Sequence, residues 1–578
     1  MEVQNSPELQ ERKENVIRTV AASCQDCYRC VRACPVKAIR ITEGQARVED
    51  KLCIQCGNCV RECPQHAKVI VSSLWTVKDM LAAREQVAVS LAPSFAGYYS
   101  GWSSLRLPSA LRRLGFAYIA ETAEGARLVA EKSLESLSQG NVCTACPVVV
   151  NYVEKYRPEL VDLLIPVVSP MVAHGRLMKK RLGENWKVVF IGPCAAKKEE
   201  AQWPENRDAI DAVLTFAELA DWLEEEGIEL ANCTESGFDN LGDYENARLF
   251  PVQGGMLKTC GRPADGTNRE VIHFSGPQEV MRFFDLPKSE IRFTLAEPLF
   301  CPEGCINGPA FPEDVNAFLK KQAVIDYAAT AISVKNSRND EDIDFRPRFA
   351  QDSVEDEEID ESRIQQVLES TGKGTPEMQL NCGACGYASC REKAIAVVKG
   401  MAEPEMCMPY MRRVAQQRTD KIIETIPTGV VILDRDFNML HMNPAFQKMF
   451  SCNNGILGRR ISYLVSSDGF EKVAAGETEQ YESIQSKYGI RYHEVIYALP
   501  EEEQYVGIYT DISNVRFDAS QIDILKRQTL EHAKELLAHQ IRFSQEMSHY
   551  LGRNTAQSED LVRRITDLYE ENETEDGR

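Results

Sequence analysis

Two matched runs of cysteine constrain this chain more than any other feature. Cys24, Cys27, Cys30 and Cys34 followed by Pro35 spell CxxCxxCxxxCP, and Cys53, Cys56, Cys59 and Cys63 followed by Pro64 repeat it. Three thiolates at every third residue can hold three corners of a 4Fe-4S cube, whereas tetrahedral zinc wants four thiolates per site in two pairs. The N-terminal stretch MEVQNSPELQERKENVIRTV has no apolar leader, so the thiols are expected to stay reduced and the protein to be cytoplasmic. The 20 cysteines of this 578-residue chain are therefore read as metal ligands before disulfides. No apolar run approaches the roughly 20 residues that cross a bilayer. With 66 basic residues against 87 acidic, a net charge of −21, a nucleic-acid footprint is not expected either. The length is about four times an ordinary 150-residue domain, so several modules are expected.

The repeated run resembles the bacterial two-cluster ferredoxins. That resemblance implies a crossed ligand set, with Cys24, Cys27, Cys30 and Cys63 on one 4Fe-4S cluster and Cys53, Cys56, Cys59 and Cys34 on the other. Residues 21–78 are expected to form this domain after a tail at 1–20, and its clusters to carry electrons.

From about residue 85 the pattern changes to short apolar runs followed by amphipathic stretches. Residues 87–93 (VAVSLAP), 118–132 (YIAETAEGARLVAEK), 186–194 (WKVVFIGPC) and 211–227 (DAVLTFAELADWLEEEG) suggest an α/β domain of mostly parallel strands, with a helix opening near Pro108. Cys194 falls at a strand's carboxyl end, where sites in such sheets collect. Three segments here resemble the signatures of the FeFe hydrogenase active-site domain: Thr144-Ala145-Cys146-Pro147, Pro193-Cys194 through Lys197 to Glu200, and Glu297-Pro298-Leu299-Phe300-Cys301-Pro302-Glu303-Gly304-Cys305. FPVQGGMLK at 250–258 is similar to a fourth family stretch. The resemblance assigns 79–335 to that domain and implies an H-cluster, a 4Fe-4S cube joined to a two-iron unit with CO, cyanide and a dithiolate. It also implies that Cys146, Cys194, Cys301 and Cys305 ligate the cube, that Cys305 bridges to the two-iron unit, and that the Lys197 ammonium faces a cyanide.

Departures from the family pattern surround this retained ligand set. Ala145 stands where the turnover enzymes carry a proton-passing cysteine, and a methyl group cannot relay a proton; losing a positioned acid or base costs about 10² to 10⁴ in rate. Gly192 and Leu299 replace methionines that line the cofactor pocket, and Glu303 replaces glycine. The acidic pair of the family aligns poorly with Glu121, Glu124 and Gly125, and the serine expected before Ser169-Pro170 is missing, so slow proton delivery is expected. Cys143 reads as a small buried hydrophobe or, alternatively, a substitute proton carrier; Cys233, Cys260 and Cys452 read as packing residues.

Residues 336–362 hold 11 acidic residues against three arginines and read as a solvated acidic linker. Cys382, Cys385, Cys390 and Cys407, within 363–415, resemble a small 4Fe-4S domain, with Gly383 and Gly386 permitting tight turns near the cluster. Zinc could use the same four thiolates. Residues 416–515 resemble a PAS domain, a five-stranded antiparallel sheet with helices on one face, and offer only the lone histidines His441 and His493 as heme ligands. Leu530, Ala533, Leu537 and Ile541 then mark a signalling helix over 516–578 that would pair with itself or a partner. His549, without an ATP-binding domain after it, reads as a polar helix residue.

The fold class expected is multidomain α/β and α+β, and the chain is identified as a member of the FeFe hydrogenase family, in its sensory, PAS-containing group. That implies slow H2 splitting, electrons passed through 4Fe-4S clusters, and output through a kinase or phosphatase partner, with a homodimer formed by the PAS domain and C-terminal helix. Hydrogenase maturation proteins would have to supply the two-iron unit. The alternatives are a catalytic hydrogenase that exchanges electrons with ferredoxin and a regulatory iron-sulfur protein that never receives the two-iron unit.

Overall fold

The computed structural model describes residues 16–138, 140–240, 244, 246–264, 270–311, 315–330, 343–347, 349, 353–354, 359–499 and 503–513. Two compact units divide the chain, residues 1–408 and 409–578. The expected tail before residue 16 and helix 516–578, with His549, lie outside the described residues.

The internal repeat of the first unit is written into its backbone. Asp26 and Gln55, Tyr28 and Gly57, and Lys37 and His66 occupy equivalent places in the two cysteine runs, and all six have φ between 49° and 76°. In each run two of these left-handed turns precede the short helix, Arg29–Ala33 or Asn58–Arg61, and the third follows the Cys-Pro end. A strand at Ile17–Thr19 pairs antiparallel with Lys68–Ile70 and closes the domain.

Next comes a parallel sheet in the order Tyr118–Glu121, Val87–Leu91, Lys187–Gly192 and Ala212–Thr215. All five residues of Val87–Leu91 are buried, as expected of a strand covered on both faces. Thr215 starts the helix Phe216–Glu225 with reciprocal bonds to Glu218, Oγ1 accepting at 3.2 Å and the Glu218 carboxylate accepting from Thr215 N at 2.7 Å. A second parallel pair, Val271–Ser275 with Leu295–Leu299, shares a separate core with the helix Pro147–Tyr156.

Two expectations need correction. The helix expected to open near Pro108 spans Trp102–Arg113 and carries Pro108 inside it; Gly101, at φ 62°, sets its start, and Ser104 Oγ donates to the Gly101 carbonyl at 2.7 Å. The stretch expected as a solvated linker is anchored where it is described. Ile343 and Phe345 pack on the parallel-sheet core, Phe349 packs on the second core, and Val354 N donates to Lys155 O at 2.9 Å. Its few apolar residues are what fastens it, because they are the ones with surface to bury.

The helices Glu361–Ser370 and Cys390–Val398 pack together as a small domain at the end of the first unit. In the second unit the five-stranded antiparallel sheet runs Met439–Met442, Gly429–Leu433, Gln504–Asp511, Ile490–Leu499 and Gln480–Lys487. Asn443, fully buried, accepts from Val430 N and Phe446 N and donates to the carbonyls of Ile423 and Thr428. One side chain thereby ties strand, helix and loop together.

Candidate functional site

The carboxyl ends of both parallel sheets open onto one cavity of about 100 Å3. Four of the six strands deliver a wall segment as they end: Ala92, Pro93 and Ser94 after Val87–Leu91, Thr122 after Tyr118–Glu121, Pro193 and Cys194 after Lys187–Gly192, and Phe300 and Cys301 after Leu295–Leu299. Cys146 and Cys305 complete a ring of four thiols drawn from three distant segments, and each lies within electrostatic reach of the others. Burial pushes all four up, Cys194 to about 11. Working against that, Cys146 caps the helix Pro147–Tyr156 and faces the amides of Val148 and Val149, and Cys194 faces those of Ala196 and Lys197. Such amides favour thiolate, the form that binds metal.

Lys197 lines the same cavity. Its ammonium sits 2.6 Å from Glu200 Oε2 and donates at 3.4 Å to the carbonyl of Ala145, with the two side chains only 10% and 4% exposed. Ala145 and Leu299 are also in the wall. Gly192 is a close fit: a Cβ there would meet the Phe190 ring at 2.5 Å, and Phe190 itself lines the cavity. Phe190, two residues earlier on the same strand face, occupies the space beside Gly192. Glu303 adopts φ 63°, a conformation that glycine adopts at lower cost.

Two residues of this site carried no weight in the sequence reading. Ser94, 1% exposed, lines the cavity, and its Oγ has no hydrogen-bond partner among the described residues. An orphaned buried hydroxyl beside a cation and four thiols fits a bound group with acceptor atoms. Glu297 is fully buried, accepts from Met256 N and Leu257 N at 3.2 and 3.1 Å, and is raised by burial to about 7. It was quoted as part of a motif, but only the fold shows that it pins the FPVQGGMLK stretch. Cys143 is buried behind the wall and outside the cavity lining, and Cys260 and Cys233 pack on the same core.

Twelve of the remaining cysteines fall into three groups, and Cys452 packs on the core of the second unit. Cys30 lies in electrostatic reach of Cys24, Cys27 and Cys63, and Cys56 in reach of Cys34, Cys53 and Cys59. Cys56 also lines the cavity. The loop bearing it is clamped to the hydrogenase-like domain: Lys155 donates to the carbonyls of Asp50 and Cys53, and Tyr156 to that of Leu52 at 2.6 Å. Lys373 Nζ donates to Cys407 Sγ at 3.0 Å and feels Cys382 and Cys390, while Cys385 feels Cys382 and Cys407. Arg32 bridges two of these groups, donating to the carbonyls of both Cys27 and Ala384 at 3.3 and 2.9 Å.

The thiol groups and their wall segments define a class, an iron-sulfur protein built on a hydrogenase-type α/β domain. Residues 85–309 match the family model "Iron only hydrogenase large subunit, C-terminal domain", residues 16–64 a 4Fe-4S dicluster domain, residues 379–409 an Fe-S cluster family, and residues 417–484 a PAS domain. The chain is a PAS-containing, FeFe-hydrogenase-like iron-sulfur protein. It is 29% identical over 292 residues to the periplasmic [Fe] hydrogenase large subunit of Nitratidesulfovibrio vulgaris, covering 41% of this chain and 69% of that one. Iron hydrogenase 1 of Clostridium pasteurianum is 27% identical, over 41% of this chain and 52% of its own length. The cytosolic Fe-S cluster assembly factor NAR1 of Vanderwaltozyma polyspora is 29% identical over 28% of this chain and 33% of its own length. The chain thus spans about half of the clostridial relative and a third of the yeast one. A solved variant of the [FeFe]-hydrogenase HydA1 from Chlamydomonas reinhardtii aligns with a TM-score of 0.36 at 20% identity, covering 44% of this chain and 88% of that one. No helix among the described residues is long and apolar enough to cross a membrane.

Proposed function

We propose that this chain is an H2 sensor, in which H2 is split slowly in the cavity and the electrons are delivered to the third cysteine group and from there to the PAS domain. The observation that carries this reading is the convergence of four thiols, Lys197 and Cys56 on one cavity. Cys146, Cys194, Cys301 and Cys305 would hold an H-cluster. When bound, that group supplies an open iron site at which H2 is converted to protons and electrons. Lys197 and Ser94 supply donors for its anionic diatomic ligands, and Phe190, Leu299, Met171 and Ala145 exclude water.

Two 4Fe-4S clusters, on Cys34, Cys53, Cys56 and Cys59 and on Cys24, Cys27, Cys30 and Cys63, would follow in that order, because Cys56 shares the cavity wall. The Arg32 bridge leads on to a third 4Fe-4S cluster on Cys382, Cys385, Cys390 and Cys407. From Cys407 the chain runs straight into the helix Met408–Thr425, which precedes the first PAS strand, so a change of cluster charge acts on the residue next to that helix. Ala145 supports sensing over turnover, since sensing tolerates slow proton exit. Output would pass to a kinase or phosphatase, with dimerisation through the PAS domain and 516–578; in the turnover alternative, ferredoxin would be the electron partner.

The matches to NAR1 favour a second reading, in which the cavity never receives a two-iron unit and the chain only stores or relays electrons. Anaerobic addition of H2 to protein matured with the hydrogenase maturation proteins separates the two. The sensor reading expects H2 alone to bleach the iron-sulfur absorption. Clusters reducible by dithionite but inert to H2 would favour the second reading.

A further inference from the structure

Cleavage of H2 releases protons inside a cavity whose wall position 145 is a methyl group, yet a polar chain leaves this cavity through the apolar core. Thr122, in the cavity wall, places its Oγ1 2.7 Å from Ser90 Oγ, and Ser90 Oγ lies 2.8 Å from His174 Nδ1. The other ring nitrogen, Nε2, faces Glu124 Oε2 at 3.7 Å and has no hydrogen-bond partner among the described residues. Glu124 accepts from Asn240 Nδ2 at 3.1 Å and from Arg181 Nη1 at 2.7 Å, and the Arg181 side chain is 33% exposed. Ser90 and His174 are 0% exposed, in a strand and a helix that are otherwise apolar where they meet.

Burying four polar side chains in an α/β core costs free energy that valine and leucine at the same places would not. Their chain neighbours Val89, Leu91, Ala173 and Leu177 are all apolar and buried. What the four share is one line from cavity to surface, interrupted only by the 3.7 Å between His174 and Glu124. Burial alone would raise Glu124, but pairing with His174 and Arg181 outweighs that and holds it down to about 2, so it stands ionised and passes on at once any proton it receives. Tyr244 also interacts with Glu124.

We propose that Thr122, Ser90, His174 and Glu124 form a proton relay that replaces the missing carrier at position 145. The inference rests on the H2-splitting reading above. Each H2 consumed gives two protons and two electrons; the electrons reduce oxidised 4Fe-4S clusters, and the protons leave one at a time. A proton taken up at Thr122 Oγ1 displaces the hydroxyl proton to Ser90 Oγ, whose own proton moves to His174 Nδ1. His174 then releases its Nε2 proton to the Glu124 carboxylate, which passes it to water beside Arg181. The 3.7 Å gap closes with a side-chain movement of less than about 1 Å, to hydrogen-bond length. Rotation of both hydroxyls and return of the ring to its Nε2–H tautomer reset the line.

The test uses the full chain in two states. In protein carrying oxidised 4Fe-4S clusters but never exposed to the maturation proteins, nitrogen NMR of labelled histidine reads the His174 ring, assigned by the loss of its signals in His174→Gln. The relay predicts a resting ring protonated at Nε2, with Nδ1 accepting from Ser90, and an altered Nδ1 shift in Ser90→Ala. A ring fixed with its proton on Nδ1, or one unchanged by Ser90→Ala, would overturn the proposal. In matured protein, formation of HD from D2 in ordinary water should fall at least about tenfold in Ser90→Ala, Thr122→Val and His174→Gln. Thr122→Ser should retain the wild-type rate, and the CO and cyanide infrared bands should persist in every variant. Undiminished exchange in all three disrupting variants would also overturn the relay. Absence of both bands and exchange in the wild type would instead count against H2 splitting, leaving the NMR result to decide on the relay by itself.

Discussion

Replacing Lys197 by methionine separates what this residue does for the fold from what it does for the cavity. Its ammonium and the Glu200 carboxylate are 2.6 Å apart, with side chains 10% and 4% exposed, so the pair is almost wholly desolvated. Removing the cation strands a buried carboxylate, which typically costs about 3–5 kcal/mol. Glu200 also borders a second cavity of about 20 Å3, together with Ser169 and Asn206. That is room for about one water, which would partly resolvate the carboxylate, so the cost is placed near the lower end, about 3 kcal/mol. For a domain of this size that corresponds to a melting temperature lower by about 6–12 °C. Adding Glu200→Gln removes the stranded charge and should bring stability back to within about 1 kcal/mol of the wild type. Anaerobic calorimetry with iron analysis reads both. The double variant, stable and with its iron retained, should still fail to reduce its clusters with H2, because the donor facing the cavity is gone. A single variant as stable as the wild type would refute the reasoning, since the pair could then not be desolvated.

Four further outcomes are expected. Ala145→Cys should raise H2 oxidation, measured with an artificial electron acceptor, at least about tenfold, and no gain would mean that position 145 does not limit proton exit. Glu297, raised to about 7 by burial, holds its proton in the folded state between pH 4.5 and 7 when the unfolded chain does not, so stability falls as pH rises through that window. Between pH 6 and 8 the loss should be about 1–1.5 kcal/mol by thermal unfolding, and Glu297→Gln should flatten it. Gly386 has φ 93°, and a Cβ there would meet Val31 Cγ1 at 2.9 Å, so Gly386→Ala should lift the small domain from the ferredoxin-like one. Electron paramagnetic resonance should then show weaker magnetic coupling between their reduced clusters. Asn443→Ala loses a helix cap and leaves three other buried bonds unmade, and should destabilise the PAS domain by about 2–4 kcal/mol without altering cluster content.

Much of this architecture was legible because its signals are local. The CxxCxxCxxxCP runs, the Pro-Cys and Cys-Pro segments of the cavity, and the Asn443-Pro444 helix start each carry their meaning within about ten residues. What was not legible depends on partners far apart in the chain. Nothing near Ser90 announces His174, 84 residues away, and nothing near Ser94 says that its hydroxyl is left without a partner beside a cavity. Gly192 was read as the replacement of a methionine in the pocket wall, but only the fold shows that Phe190, on the same strand face, crowds the position. The acidic stretch was read from its charge, whereas its anchoring is decided by Ile343, Phe345 and Phe349, three apolar residues too sparse to make a pattern.

The central claim is that the cavity ringed by Cys146, Cys194, Cys301 and Cys305 carries a two-iron unit that responds to H2. Infrared spectroscopy of anaerobically matured protein, in the CO and cyanide stretching region with and without H2, tests it most directly. The account predicts bands in this region that shift when H2 is added. A spectrum without such bands, from protein whose 4Fe-4S clusters are fully assembled, would contradict it and leave a chain of cubes leading to a PAS domain.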